Sequence, residues 1–499
     1  MSGSTTHRDP IRVYDARWEA DEFNRAEIRR LVEATLLYGR LLGVDTVTLC
    51  RDARGGCAPL VELAMEMALA AGFDVFLCPD PVSTPLSYFM SFSVSERRPG
   101  TMGLMFTASH NPATYVGLKV VVPPVQAIGL NCGPLGGFAR IREIYHGQET
   151  LGRPARGRLQ VWNPAQDYVE FSLRTVGVGE GTLAGVSVVF DFFNGSAGGE
   201  MLVALQRAGA AFTPLRLVAD GTFPTGSPNP TSAGKMTVAV DLAREKSGSV
   251  VIGTDGDGDR LVFGDARGLL SAGIAAVPVL ARLTAPGETR RPRVLYDPKV
   301  DPLARAEWSR IGMEPSLFRN GHSQIKERMR AMDAAAAVEE SGHYYHRLLG
   351  TAGPVYLESS LVTVLSFLRS IRERPSLMDE LWALQDRAHS TGEFNYQLGD
   401  DHARDEALEE ALRLFRADGA EVTSRTADGA DLMGFLVSKG IDARSSSLAP
   451  EWYQAYLRIA TNEKSVLRCY VSAGDPSGAR EWERRIRQRL SALGGTPVE

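Results

Sequence analysis

Cysteine is scarce in this sequence: five residues in 499 (Cys50, Cys57, Cys78, Cys132 and Cys469), none at CxxC spacing. That excludes a disulfide framework and a zinc ribbon, and a chain this long buries several cores without either staple. Basic charge is not in excess either. Against 60 Asp and Glu stand 55 Lys and Arg, a net charge of −5. Nucleic acid is therefore not an expected partner, because no surplus of cations is available to neutralise phosphates. An anionic substrate would need basic residues gathered locally into one pocket. Long apolar runs are missing; mostly apolar stretches such as Gly273–Leu280 fall far short of a membrane span, so no membrane partner is expected. The opening MSGSTTHRDP is polar and lacks the apolar stretch of a secretion signal. A cytoplasmic protein with reduced thiols is the expectation.

What is present is an alternation of short buried strands and helices. Val44–Cys50 reads as a strand, Ala58–Ala71 as a helix stopped by Gly72, and Phe73–Leu77 as a strand ended by Pro79 and Pro81. Met102–Thr107 and Leu118–Val122 read as further strands. The pattern restarts at Val186–Asp191, with a turn at Asn194–Gly199, a helix over Met201–Ala208 and a strand at Val250–Gly253. A third round has strand Arg293–Asp297, helix Pro302–Ile311 and strand Pro315–Phe318. After Ser390 the texture changes. An acidic helix (Arg404–Asp418), a strand pair (Tyr456–Ala460 and Val466–Ser472) and a basic closing helix (Ala479–Leu490) follow. The expected fold class is α/β: three similar α/β domains (1–160, 161–268, 269–388) and a smaller C-terminal α+β domain (389–499).

Three local patterns carry chemistry. Asp255-Gly-Asp257-Gly-Asp259-Arg260 puts three carboxylates at alternate positions of a turn that leaves a strand. Glycines between them let the oxygens converge, and converging carboxylates call for a hard divalent cation such as Mg²⁺. An EF-hand is excluded, because Arg260 and Ala266 stand where that loop needs Gly and Glu. Thr107-Ala-Ser109-His110-Asn111-Pro112 places a serine beside a histidine at a strand end, with no GxSxG elbow around it. By itself such a serine is an ordinary turn residue. Glu339-Glu-Ser341-Gly-His343 offers acceptors and donors suited to sugar hydroxyls, and equally suits a surface turn. Gly234-Lys235 and Gly177-Val-Gly179 do not complete a P-loop or a dinucleotide fingerprint.

Taken in order, these patterns resemble the α-D-phosphohexomutase superfamily, in particular its phosphomannomutase/phosphoglucomutase group. Tyr14-Asp-Ala-Arg17 looks like the family's opening YDxRG, and Arg51-Asp-Ala-Arg54 like its GRDxR turn. TASHNP at 107–112 is similar to its phosphoserine loop, continued by Gly117-Leu-Lys119. DGDGDR at 255–260 looks like its metal loop, Asn320-Gly-His322-Ser-Gln-Ile-Lys326 like its GHSxIK segment, and 339–343 like its ExSGH sugar loop. The resemblance implies three α/β domains with mixed sheets and a smaller fourth domain around a central cleft. It implies an enzyme that interconverts hexose 1-phosphate and hexose 6-phosphate (mannose, glucose or both). Ser109 would be carried as phosphoserine, and a hexose 1,6-bisphosphate would be the intermediate and activator.

The roles it implies are these. Ser109, Asp255, Asp257 and Asp259 hold Mg²⁺. Lys119 and Arg17 take the proton-transfer and electrostatic roles, with Lys119 favoured for the proton on intrinsic pKa. His110 shapes the serine loop. Arg260, Lys299, His322, Glu339, Ser341 and His343 contact the substrate, as do Arg458, Thr461, Asn462 and Lys464 of the last domain. The partner is a sugar phosphate, and the protein a monomer or homodimer. Two departures stand out: Trp18 replaces the family's Gly, and Arg458-Ile-Ala460-Thr461-Asn462-Glu-Lys464-Ser465 replaces its RxSxTEP phosphate loop. Alternative readings are a phosphoglucosamine or specialised-pathway mutase, or a non-catalytic phosphosugar-binding relative.

Overall fold

The computed structural model describes residues 8–152, 155–283, 291–351, 353–442, 447–460 and 463–498. They fall into two compact units. One takes the chain up to Leu269 with Gly321–Asp333 and Ser341–Glu373; the other takes Leu270–Asn320, Ala334–Glu340 and Arg374 onward.

The first sheet of the first unit comprises β1 (Ala16–Glu19), β2 (Thr46–Arg51), β3 (Asp74–Pro81), β4 (Thr101–Phe106), β5 (Tyr115–Val122), β6 (Gln126–Ala127) and β7 (Leu159–Val161). Their order is β1-β5-β4-β2-β3-β7, with β6 paired to β5. Strands β4, β2, β3 and β7 run parallel, and β5 returns antiparallel to β4. Central β2 and β4 are buried along almost their whole length, which is why TVTLCR and TMGLMF do not alternate. The second sheet comprises β8 (Ser187–Asp191), β9 (Ala211–Leu215), β10 (Ser249–Thr254), β11 (Leu261–Asp265) and β12 (Gly268–Leu269), in the order β12-β11-β10-β8-β9. Its parallel β9-β8-β10 core is extended by antiparallel β11.

In the second unit β13 (Arg293–Tyr296), β14 (Glu314–Leu317) and β15 (Ala336–Val338) are parallel, with β13 in the middle. The following hairpin, β16 (Tyr344–Gly350) and β17 (Gly353–Glu358), belongs to the first unit. The chain ends in an antiparallel sheet of β18 (His389–Gln397), β19 (Glu421–Arg425), β20 (Asp431–Ile441), β21 (Leu448–Ile459), β22 (Val466–Ala473) and β23 (Thr496–Val498), ordered β19-β20-β21-β22-β18-β23. Helices Asp401–Ala417 and Pro476–Ala492 bring Phe415, Trp482 and Ile486 onto Leu457 and Val471 in one core. Phe415 and Trp482 stack at 4.4 Å. The fold class is thus as expected: three α/β domains with mixed sheets and a sheet-rich C-terminal domain. No helix among the described residues is long and apolar enough to cross a membrane.

Four local expectations change. Strand β3 continues to Pro81, because β7 pairs it only over Val75–Leu77; beyond that the prolines cost no ladder bond on that side. The helix expected from Met201 starts at Gly198. The strand expected from Tyr456 starts at Leu448, and the chain ends in β23 rather than in its last helix. Trp18 is buried in the core of the first sheet against Phe23, so that departure is absorbed by packing.

Helix Thr84–Ser95 connects β3 to β4, with Ser83 as its N-cap and Pro85 in its first turn. Ser83 Oγ donates to the buried Glu200 Oε1 at 2.5 Å, and burial pushes the Glu200 carboxyl up to about 7. A carboxyl raised in the folded state imposes no penalty below its unfolded value near 4.5, and a growing one as pH climbs through about 7. Glu200→Gln is therefore expected to equal the wild type in stability near pH 4.5 and to exceed it by about 3 kcal/mol at pH 8. Urea unfolding at the two pH values reads the difference; equal values at both would refute the buried charge.

Candidate active site

Ser109 lies just past the buried end of β4 with φ of 52°, a left-handed backbone that a serine adopts only when its surroundings impose it. The imposing contacts are specific. Ser109 N donates to Thr107 Oγ1 (2.9 Å), and Thr107 Oγ1 donates to Asp52 Oδ2 (2.7 Å). Arg54 Nε pairs with the same Asp52 oxygen at 3.0 Å, both side chains being fully buried. The remaining Arg54 nitrogens donate to the carbonyls of Ser109 and Asn111 (2.7 Å each), Tyr115 (3.1 Å) and Pro112. Arg17 pairs with Asp15 at 2.9 Å and donates to Asn111 Oδ1 (2.9 Å) and Ala108 O (3.3 Å), tying the loop from its other side.

Ser109 Oγ points at the carboxylate turn after β10, donating to Asp255 Oδ2 at 2.7 Å; His110 Nδ1 lies 3.3 Å from the same hydroxyl. The glycines of the turn permit this approach. A Cβ on Gly256 would stand 2.8 Å from Ser109 O, and Gly258 has φ of 73°. Asp255 Oδ1 accepts from the backbone N–H groups of Asp259 (3.1 Å) and Arg260 (3.2 Å). Asp257 Oδ2 accepts from Thr84 Oγ1 at 2.6 Å and from Lys119 Nζ at 2.7 Å, and Lys119 also donates to Asp259 Oδ2 at 2.5 Å.

The electrostatics follow from burial and neighbours. Burial, then Asp257 and Asp259, push the Asp255 carboxyl well above the usual carboxylate range. Burial opposes charge on Asp257 too, but Lys119 and Thr84 hold it well below that range. Burial likewise works against the Lys119 ammonium, and the two aspartates overcome it and raise its pKa well above the ordinary value. Burial lowers His110, His322 and His343, the last to about 3, so these imidazoles are neutral.

One oxygen from each of Asp255, Asp257 and Asp259 lies within 4.8 Å of the others. Asp257 Oδ1 and Asp259 Oδ1 are buried without a hydrogen-bond partner among the described residues. An all-oxygen set with unsatisfied buried acceptors fits a hard divalent cation. The Ser341–His343 segment is joined to this turn by backbone: Leu261 N donates to Gly342 O at 2.8 Å, and Arg260 bridges His343. His343 Nδ1 then stands 3.8 Å from Asp259 Oδ1 and 4.0 Å from Glu358 Oε1, while Glu358 Oε2 accepts from Lys326 at 2.7 Å. Ser341 is half-buried, and both ring nitrogens of the buried His322 have no partner among the described residues.

Of the residues expected in the site, the first unit therefore brings together Ser109, His110, Lys119, Arg17, the three aspartates, Arg260 and His343, and it also carries His322 and Ser341. The second unit holds Lys299, buried Glu339, Arg458 and exposed Lys464. Thr461 and Asn462 lie outside the described residues.

The sequence matches the family descriptions Phosphoglucomutase/phosphomannomutase, alpha/beta/alpha domains I, II and III, over residues 9–128, 166–268 and 274–387. A phosphomannomutase of Salmonella typhimurium is 28% identical over 440 residues, covering 83% of this chain and 89% of that one. A phosphohexose mutase of Xanthomonas campestris is 28% identical over 410 residues, 78% of this chain and 83% of that one. The crystal structure of a Burkholderia thailandensis protein of the phosphoglucomutase/phosphomannomutase family superposes with a TM-score of 0.76 at 23% identity, over 97% of each chain. The open form of Paramecium parafusin, a phosphoglucomutase, gives 0.75 at 15% identity, over 99% of this chain and 95% of that one.

Arg54 is the residue whose weight the sequence did not convey. Its guanidinium spans carbonyls that an ammonium, a single point of charge, cannot span together. Arg54→Lys is expected to cost about 3 kcal/mol of stability by urea unfolding. Amide hydrogen exchange should also accelerate across 107–115. Exchange at wild-type rates would mean that the loop holds its shape without the fork.

Proposed function

The chain belongs to the phosphoglucomutase/phosphomannomutase family of phosphoryl-transferring mutases, and we propose that it interconverts hexose 1-phosphate and hexose 6-phosphate through phosphorylated Ser109. The observation that carries this reading is the Ser109 hydroxyl held 2.7 Å from Asp255, at the rim of three buried aspartates. Phosphoryl transfer asks mainly for positioning and charge stabilisation, and both are present. Arg54 and Arg17 fix the loop, so Oγ needs no search for its direction of attack.

In the first half-reaction the Oγ–P bond of phosphoserine breaks as a free sugar hydroxyl bonds to phosphorus, giving the 1,6-bisphosphate. In the second, Ser109 Oγ takes the other phosphoryl group and leaves the isomeric monophosphate. Lys119, kept as an ammonium between Asp257 and Asp259, supplies the proton that Oγ needs on leaving and is reprotonated by the one the attacking sugar hydroxyl gives up; in the second half-reaction the same transfers run in reverse, from Oγ through Lys119 to the leaving sugar oxygen. The pairing of Arg17 with Asp15 supports giving the proton-transfer role to Lys119 rather than to Arg17. Asp255, Asp257 and Asp259, with an oxygen of the phosphoserine, hold Mg²⁺, which supplies Lewis-acid stabilisation of charge on the transferring group. Phosphoserine adds about −1.5 to −2 charge beside the carboxylates, and this makes the cation necessary. Glu339, Ser341 and His343 read sugar hydroxyls, His322 orients the ring, and Lys299, Arg458 and Lys464 hold the distal phosphate. A hexose 1,6-bisphosphate loads Ser109 and so acts as activator.

Intact-protein and peptide mass spectrometry after incubation with glucose 1,6-bisphosphate and Mg²⁺ is expected to find one phosphoryl group, on Ser109, that is discharged by hexose 1-phosphate. Ser109→Ala should lose the label and about three orders of magnitude or more in kcat. Turnover by that variant near the wild-type rate would refute the shuttle.

A further inference from the structure

In the second unit three cations share one carboxylate. Arg468 Nη1 donates to Glu393 Oε1 at 2.7 Å, while Lys299 Nζ lies 3.5 Å and Arg458 Nη2 4.0 Å from Glu393 Oε2. Arg458 and Arg468 stand directly opposite each other in the β21–β22 ladder, where facing like charges repel. Strand β18 runs along the other side of β22 and places Glu393 opposite Tyr470, one strand away from Arg468 and two from Arg458. Glu463 accepts from Arg468 Nη2 at 2.7 Å. For Lys299 and Arg458, Glu393 is the only carboxylate within ion-pair distance among the described residues. Both of those side chains are mostly buried, at 15% and 13% exposure, so their charges are poorly screened by water. Burial works against charge on Glu393, yet Lys299, Arg458 and Arg468 together hold its carboxyl below the usual range.

We propose that Glu393 is an internal stand-in for the substrate's distal phosphate and the residue that sets how tightly that phosphate is gripped. The inference rests on the reading that Lys299 and Arg458 bind the distal phosphate. The carboxylate keeps cations that would otherwise repel gathered in the arrangement a phosphate needs. Because it already satisfies them in part, an incoming phosphate gains only the difference between its own attraction and that of Glu393. A doubly charged phosphate with three free oxygens wins this exchange; a singly charged anion gains little from it. The result is a site that is preorganised and yet weak enough to release. A bisphosphate that must let go and present its other end requires such a site.

The test is isothermal titration of glucose 6-phosphate, and separately of inorganic phosphate, into the wild type, Glu393→Gln, Glu393→Ala and Arg458→Ala. Circular dichroism on each variant checks the fold. Removing one negative charge beside the bound phosphate is expected to tighten both ligands about fivefold or more in the Gln and Ala variants, with KM falling in parallel and no gain in kcat. Arg458→Ala is expected to weaken both ligands. If Arg458→Ala weakens binding and the Glu393 variants bind no tighter than wild type, the stand-in is refuted and Glu393 serves only to position Arg468. If Arg458→Ala changes nothing, the distal phosphate is not held here; the reading of the site fails, and the inference with it.

Discussion

Three aspartates whose oxygens lie within 4.8 Å of one another cannot remain buried and charged without positive charge beside them. Much of the first unit serves to bring that charge. The antiparallel return of β5 against β4 carries Lys119 to Asp257 and Asp259. The helix that starts at Thr84 brings a hydroxyl to Asp257 from a different crossover. Backbone N–H groups of Asp259 and Arg260 turn inward on Asp255. Lys119 and Thr84 come from stretches of chain separate from the turn, so the cluster forms only when both sheets of the unit are folded. Its chemistry is therefore conditional on the fold.

The serine loop is the second half of the same constraint. A hydroxyl directed at a crowded anionic site is not where a flexible turn would settle. The Asp52–Arg54 pair fixes it there, a fully buried ion pair whose remaining donors all go to carbonyls of that one loop. Such pairs are weak contributors to stability in themselves, since desolvation offsets most of their attraction. Here the pair acts on geometry: it enforces the left-handed Ser109 and the close approach of Gly256.

What could be read in the sequence was whatever is written in neighbouring residues. DGDGDR specifies converging oxygens by its own spacing, and the structure has them converge. The two α/β rounds of the first unit were legible because each strand is a short buried run closed by a turn. Helix Arg25–Leu41 was overlooked despite a local signal, the Asn24-x-x-Glu27 capping box, whose two reciprocal bonds are formed. Helix Thr84–Ser95 had a weaker signal: its buried serines and aromatics favour other conformations, and tertiary packing overrides that preference. The Arg54 fork, the Lys326–Glu358 pair beside His343 and the cations around Glu393 had no local signal. Their partners lie 32 to 94 residues away in the cases of Lys326–Glu358, Lys299–Glu393 and Arg17–Asn111, and only the tertiary fold brings them together.

The two charge clusters obey one rule with opposite sign. In the first unit an excess of carboxylate is answered by Lys119; in the second an excess of guanidinium and ammonium is answered by Glu393. Each cluster is thus neutralised only in part from within. This is why a near-balanced net charge is compatible with the proposed phosphate sites, and why on that reading the altered segment after Arg458 need not abolish binding. Binding at such a site depends on how far the internal counter-charge already satisfies the cations, and less on how many hydroxyls the loop retains. Loss of the hydroxyl at Ala460 removes one neutral donor, whereas Lys299, Arg458 and Arg468, the cations that on the proposed reading draw the distal phosphate, are all present.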